Sequence, residues 1–459
     1  MAFDFNDLQY LSVPLPVNVQ KFKMHGDLDR AATAIQVYLN RDIPNALRAR
    51  LNMELEILKR LPDNYTYSFD AAVERCQKYI SDFTAEELAK LQDQNDVEWI
   101  FLNGDTYFRT NFLENLISCY PEYKARVTDP SMLSDPKRHE MLYAEVAKMK
   151  KNGKAGYHFK MRASIKVNPD CARIGEPVKA HLPLPIEYAQ IKNVKVLSHS
   201  DAAKVTISGQ DAQQHTICFE DTLKEGQEFA VEYEFDNIST YVNPDPAMVD
   251  SAQPSFYTGE LLPHIRFTPY IKALTKEIVG TETNPLKKAR LIYDYITSHI
   301  MYSFMPNYFT ILDIAEYAAA GWKGDCGVQA LLFITLCRCA GIPARWQSGL
   351  YTHPLDAGNH DWAQYYVAPY GWLYADCSFG SSAYRAGNEE GRDFYFANLE
   401  PFRMPANREF QQPFFPAKQQ MRHDPYDSQN GEIEYADRAL GEEEYETSYE
   451  ILESAPIDF

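Results

Sequence analysis

Cysteine is scarce in this chain, with eight in 459 residues: Cys76, Cys119, Cys171, Cys218, Cys326, Cys337, Cys339 and Cys377. They follow no framework spacing, which excludes a disulfide scaffold. No Cys-x-x-Cys pair occurs, so the commonest zinc signature is missing and no metal or other cofactor is expected. Long apolar runs are missing too. None approaches the roughly 18 residues of a membrane span, which excludes an integral membrane protein. Basic residues are the minority, 45 Lys and Arg against 64 Asp and Glu, for a formal charge of −19. That balance repels phosphate backbones and excludes nucleic acid as a partner. The opening Met-Ala-Phe-Asp-Phe-Asn-Asp has neither a basic n-region nor an apolar h-region, so the cytoplasm is the expected location.

Core-forming material is plentiful, at 45% hydrophobic and 13% aromatic residues. The length predicts two to four domains. In residues 1–152, Ala31, Ile35 and Leu39, then Leu47, Leu51, Leu55 and Leu58, recur at helical spacing. Thr84 and Glu87 form a helix start, and Pro44, Pro62 and Pro121 punctuate separate helices. A helical accessory domain without chemistry is expected there. Between 153 and 248 the period changes to two. His158–Val167, Ile191–Leu197, Lys204–Ile207 and Phe229–Phe235 alternate, separated by Ser208-Gly209 and Glu225-Gly226. These strands predict a β-sandwich-like domain.

Residues 249–430 begin with helices: Pro285 to about Ile300, then Ile311–Ala320. Gly324-Asp325-Cys326-Gly327 leads into an apolar stretch, Val328–Ala340, that reads as a buried central helix. Three β-like segments follow, Ala344–Tyr351, Asp361–Val367 and Trp372–Asp376. Helices followed by strands predict an α+β fold. Residues 383–425, rich in Phe and Pro, are too apolar for a free linker; they are expected to pack on the back of the core, with a lid across the cleft as the alternative. Residues 431–459 carry ten acids and one arginine and read as a solvated acidic tail.

The candidate chemistry lies at Cys326. The first turn of a helix presents unpaired N–H groups and partial positive charge, which favour a thiolate. Gly324 and Gly327 leave the approach to the sulfur open. The same N–H groups suit a developing oxyanion. His360, at the mouth of a strand, is the candidate base. Asp376 ends the next β segment. If the two strands form a hairpin across Ala368-Pro369-Tyr370-Gly371 with an odd-length loop, His360 and Asp376 share a face and Asp376 orients the imidazole; an even-length loop without a bulge would separate them. His353 precedes Pro354 and lacks that setting, and Cys337 and Cys339 belong to the apolar helix.

Residues 321–380 resemble the transglutaminase-like superfamily of papain-like cysteine enzymes. The resemblance rests on Gly324-Asp325-Cys326-Gly327, Gly341-Ile-Pro-Ala-Arg345, His360-Asp361-Trp362 and Gly371-Trp372…Asp376. It implies a papain/transglutaminase-like core, a central helix on an antiparallel sheet, with Cys326 as nucleophile, His360 as base and Asp376 as orienting acid. The preceding β domain is similar to one found in bacterial members. Asp361 stands where a small residue is common, and strand alternation turns it away from His360. The family's second oxyanion donor corresponds to an aromatic or amide residue upstream of the cysteine. Tyr302 is the candidate, with Gln329 and Gln364 as lesser alternatives. The resemblance implies acyl transfer on peptide or side-chain amides of a protein or peptide substrate through a thioester. Hydrolysis as a peptidase or amidase leads. Protein-glutamine transamidation and a non-catalytic scaffold stay open, and no calcium-loop spacing supports the former.

Overall fold

The computed structural model describes residues 5–133 and 136–459; Met1–Asp4 of the opening heptapeptide lie outside them. The chain is mixed α and β, with helices gathered at the N-terminal end and around the central helix.

Cys326–Cys339 is that helix. Asp325 caps it, its carboxylate accepting from Val328 N–H at 3.1 Å. It is apolar on every side and almost wholly buried, because a helix with no polar stripe has no face to give to water. Its side chains pack on the sheet 396–397, 371–375, 356–367, 344–353, 403–407, in that order. Phe333 meets Tyr365 at 5.8 Å between centroids. Flanking helices Pro285–His299 and Ile314–Gly321 close the layer, the first capped by Asn284. The fold is therefore α+β, with a central helix packed on an antiparallel sheet.

The other side of the sheet meets the β-sandwich. Leu350, Tyr351, Met404 and Ala406 join a buried cluster with Phe159, Met161, Phe219 and Tyr233. Each sandwich sheet has four strands, ordered 432–435, 177–183, 216–222, 204–207 and 445–456, 154–167, 228–240, 191–199.

The acidic stretch 431–459 is thus no solvated tail. Glu432–Tyr435 pairs with Pro177–Pro183, and Tyr445–Pro456 pairs with Lys154–Val167. The second strand alternates: Tyr445, Thr447, Tyr449 and Ile451 turn inward while Glu446, Ser448 and Glu450 stay exposed. The charge belongs to one face of a strand, and the net count hid the period-two pattern. Truncation at residue 430 should expose a backbone edge on each sheet. Light scattering should then show aggregation; a monodisperse truncated protein would count against this role.

In the N-terminal region Thr84 accepts from Glu87 N–H at 3.2 Å, as a cap should. Pro62 does not end its helix, which runs from Asn45 to Asn64. Sitting in the last turn, it disrupts only bonds that would fray in any case. A hairpin, Trp99–Leu102 with Asp105–Phe108, interrupts the helices.

The stretch 383–425 packs onto the body of the protein. Phe394, Tyr395, Phe396, Phe402, Phe410 and Phe414 are buried, and Phe410 stacks on Tyr426 at 5.1 Å. Only His423 and Asp424 of it reach the cleft described below.

Candidate functional site

Cys326 is the first residue of the central helix and lies on the wall of a cavity of about 690 Å³. The strand Asp356–Val367 runs past it, antiparallel to Gly371–Ala375, with Val367 opposite Gly371. The loop therefore has three residues, the odd length that puts positions 360 and 376 on one face. His360 Nε2 lies 2.8 Å from Asp376 Oδ2. Both are buried, His360 at 5% exposure and Asp376 at 0%. The bond commits Nε2 and leaves Nδ1 for proton transfer.

Asp376 is more heavily engaged than the sequence indicates. It caps the helix Cys377–Arg385, accepting from Phe379 N–H at 3.0 Å, and Ser378 Oγ donates to it at 3.0 Å. Arg403 Nη2 donates to its Oδ2 at 2.9 Å, and Arg403 also pairs with Glu400. All three charged groups are at 0% exposure. Burial alone would raise the Asp376 carboxyl. His360, then Arg403, overcome that and hold it well below the usual carboxylate range. Burial lowers the His360 pKa despite Asp376, so the resting imidazole is neutral.

The sulfur's surroundings differ from the expectation. Among the described residues no hydrogen bond joins Cys326 to His360; the sulfur's partner is Asp361 Oδ2, at 3.5 Å. Asp361 is separated from the imidazole by alternation, but its carboxyl is delivered to the cysteine. Gly327 does not serve to open the approach. A Cβ there would lie 2.6 Å from Asp361 Oδ2 and would also strike Tyr308, so the glycine makes room for both. Tyr308 Oη in turn donates to Asp325, whose carboxyl burial pushes up to about 6.

The expected low thiol pKa is therefore reversed. Burial, then the carboxylates of Asp361 and Asp325, push the Cys326 thiol well above the ordinary range. A helix terminus contributes about half a charge, and nearby full charges outweigh it. Alkylation of Cys326 should have a midpoint above the roughly 8.5 of a free thiol. Asp361→Asn removes a carboxyl whose charge opposes the thiolate and which burial, then Asp325, push well above the ordinary carboxylate range, so the midpoint should move down. A midpoint below the free-thiol value, unmoved by this change, would discount the carboxylate effect.

Tyr302 lines the cavity beside Cys326 and interacts with its sulfur. The lesser alternatives point elsewhere. Gln329 Nε2 donates to Gly324 O at 2.9 Å, and Gln364 Oε1 accepts from Arg345 at 2.9 Å. His353 accepts from Leu355 N–H at 3.2 Å in a turn.

Two contributors were missed. The N-terminal helices, expected to carry no chemistry, supply Arg60, Asp63, Asn64 and Asn111 to the cavity. They also hold the segment bearing Tyr308: Asn115 accepts from Phe304 N–H at 2.7 Å, and Asn64 from Asn307 N–H at 2.8 Å. The opposite wall is the strap 423–432 with 442–445. Gln429 is anchored to Asp361 and to His360 O. Nothing local in either stretch marks these roles, because each residue acquires a site only through packing against parts of the chain more than 60 positions away.

Residues 272–377 match the model of the transglutaminase-like superfamily. An uncharacterized protein of Haemophilus influenzae is 29% identical over 142 residues, 25% of this chain and 37% of the relative, so the match spans little more than a third of that protein. Among solved structures, a candidate cysteine protease from Cytophaga hutchinsonii aligns at 14% identity and a TM-score of 0.42, covering 67% of this chain and 92% of that one. The periplasmic domain of TgpA from Pseudomonas aeruginosa aligns at 13% identity and a TM-score of 0.29, covering 51% and 91%. The segment that holds Cys326, His360 and Asp376 is a domain of the transglutaminase-like superfamily.

Proposed function

We propose that the chain is a cysteine-dependent acyl-transfer enzyme acting on peptide or side-chain amides, with hydrolysis as its main outcome. The observation that carries this reading is the buried His360–Asp376 pair, 2.8 Å apart, in the same domain as a cysteine that opens a buried helix on a cleft wall. Buried pairs of this kind are costly unless the partners are satisfied, and here Arg403, Ser378 and the Phe379 N–H complete Asp376.

In this reading Cys326 is the nucleophile. His360 takes the thiol proton through Nδ1 as the sulfur attacks the amide carbonyl, and returns it to the departing amine. Asp376 stabilises the imidazolium and fixes the ring. The Cys326 N–H, with the Tyr302 hydroxyl, faces the tetrahedral oxygen. Water then attacks the thioester with His360 as base, releasing the acid and the free thiol. The polar, open cleft favours water as acceptor. The resting thiol is neutral, so proton transfer accompanies attack; no ion pair is formed beforehand.

The test is to trap the acyl-enzyme. A pool of peptides is incubated with the full chain, and Cys326 is examined for a thioester by mass spectrometry after acid quench. Asp376→Asn should slow acylation about 10- to 1000-fold, or roughly 1.4–4 kcal/mol. No adduct at Cys326 with any amide, together with unchanged peptides, would remove the enzymatic reading.

A further inference from the structure

The cavity at Cys326 is strongly asymmetric in charge. Eight carboxyl side chains line it, against one arginine and one histidine. Arg60 is already spent on main-chain carbonyls, donating to His423 O at 2.7 Å and Arg422 O at 3.1 Å. Of these carboxyls only Glu432 is paired with full cations among the described residues, Lys418 at 2.6 Å and Arg422 at 2.9 Å. The other carboxyls come from four separate parts of the chain. Asp63 ends an N-terminal helix. Asp325 and Asp361 belong to the core. Asp424 and Asp427 sit on the strap, and Glu442 and Glu443 begin the segment after it. No single element's solvated face explains their convergence.

Two further observations point to a missing positive group. Asp63 and Glu443 both line the cavity, and after burial the Glu443 charge helps raise the Asp63 pKa. Crowded carboxylates are relieved either by taking up a proton or by a cation between them. Ser428, at 2% exposure, lines the same cavity, and its hydroxyl has no hydrogen-bond partner among the described residues. A buried hydroxyl left unpaired is costly, and a donor reaching into the cavity would satisfy it. An ammonium or guanidinium group carries several donors and the right charge.

We propose that this cavity is a specificity site for a basic side chain, lysine or arginine, of the peptide substrate. Asp361 is at its floor beside the nucleophile, Asp427 and Ser428 lie on the strap wall, and Asp63 and Glu443 stand on the outer walls. The proposal rests on the acyl-transfer reading for what happens next, but binding of the basic group does not. Field focusing in such a cleft raises the local concentration of cations by about 10- to 1000-fold. It also disfavours acidic peptides, whose carboxylates would meet carboxylates. Asp361 then has a reason to occupy a position next to His360 where it burdens the thiol: an arriving cation offsets its charge and favours the thiolate only when substrate is in place.

The experiment measures access to Cys326 without requiring turnover. The full-length protein is labelled with a cationic methanethiosulfonate, bearing trimethylammonium, and with an anionic one, bearing sulfonate. Modification at Cys326 is followed by peptide mass spectrometry, with Cys326→Ala as the blank. Each rate is divided by that of free mercaptoethanol with the same reagent. The cationic reagent should then be favoured by at least about ten-fold at low salt, and the preference should shrink in about 1 M salt. Asp63→Asn combined with Glu443→Gln, both on exposed residues away from the packed core, should reduce it toward unity. A normalised ratio near one in the wild type overturns the proposal. A blocked peptide containing lysine or arginine should protect Cys326 from labelling, and its alanine counterpart should not. Protection by a free polyamine alone, or by none of these, also overturns it, because the site would then not read peptides. Strong charge selection and protection without any thioester would retain this site and remove the enzymatic reading instead.

Discussion

Replacing Arg403 with methionine is expected to lower the unfolding free energy by about 3–5 kcal/mol. The methionine keeps most of the stem volume, so the loss is electrostatic. Arg403 is fully buried between Asp376 and Glu400, and its guanidinium also lies over the rings of Phe379 and Tyr351, at 4.3 and 4.6 Å. Without it two carboxylates stay buried and one of them, Glu400, has no other full positive partner among the described residues. Chemical denaturation gives the size of the effect. The pH dependence gives its origin. In the wild type the Asp376 carboxyl stays ionised in the folded state at pH values where the unfolded state has taken up a proton. Its contribution is present in full above the ordinary carboxylate pKa of about 4, starts to fall below it, and is gone only once the pH has passed the depressed folded-state value. The variant should show a shallower acid slope, because Asp376 loses one of the two cations that hold its pKa down. A variant as stable as the wild type, with the same slope, would mean that Arg403 only fills space.

Cys326→Ala should reduce amide turnover by at least about 10⁴-fold, since no other group near the cleft can form the thioester. Its thermal midpoint should remain close to that of the wild type. The sulfur is only partly covered, and its removal takes it away from Asp361 and Asp325, which disfavour the thiolate. The two measurements separate the possible roles. A large fall in the midpoint would make Cys326 a packing residue. Retained turnover would move the nucleophile elsewhere, and Cys119 and Cys339, the other partly exposed thiols of the helical and core regions, would be next to test.

The elements of the core were legible because each announces itself locally. A continuous apolar helix such as Val328–Ala340 can only be buried, and the turn signal around Pro369-Tyr370 marked a hairpin whose three-residue loop, and so the shared face of His360 and Asp376, the structure supplied. The caps at Thr84 and Asn284 are local as well. The acidic C-terminal stretch was legible in principle, since Tyr445, Thr447, Tyr449 and Ile451 alternate with polar residues. Reading its net charge first obscured that pattern. Residues 383–425 were recognisable as buried by composition, yet composition carries no direction, so which surface they cover could not follow from it.

The sequence by itself determined the α+β core and the helix that begins at Cys326, because these follow from periods of 3.6 and 2 within some 60 residues; the register of the hairpin, which sets His360 and Asp376 on one face, came from the structure. Only the tertiary structure decided the electrical environment of that cysteine. Asp361 lies on the sulfur because the neighbouring helix and Gly327 let it approach, and Arg403 reaches Asp376 from a strand 27 positions later. The walls of the cleft come from residues near 60 and near 430, brought together by packing. Electrostatic interactions depend on distance and burial in space, and neither is a function of separation along the chain.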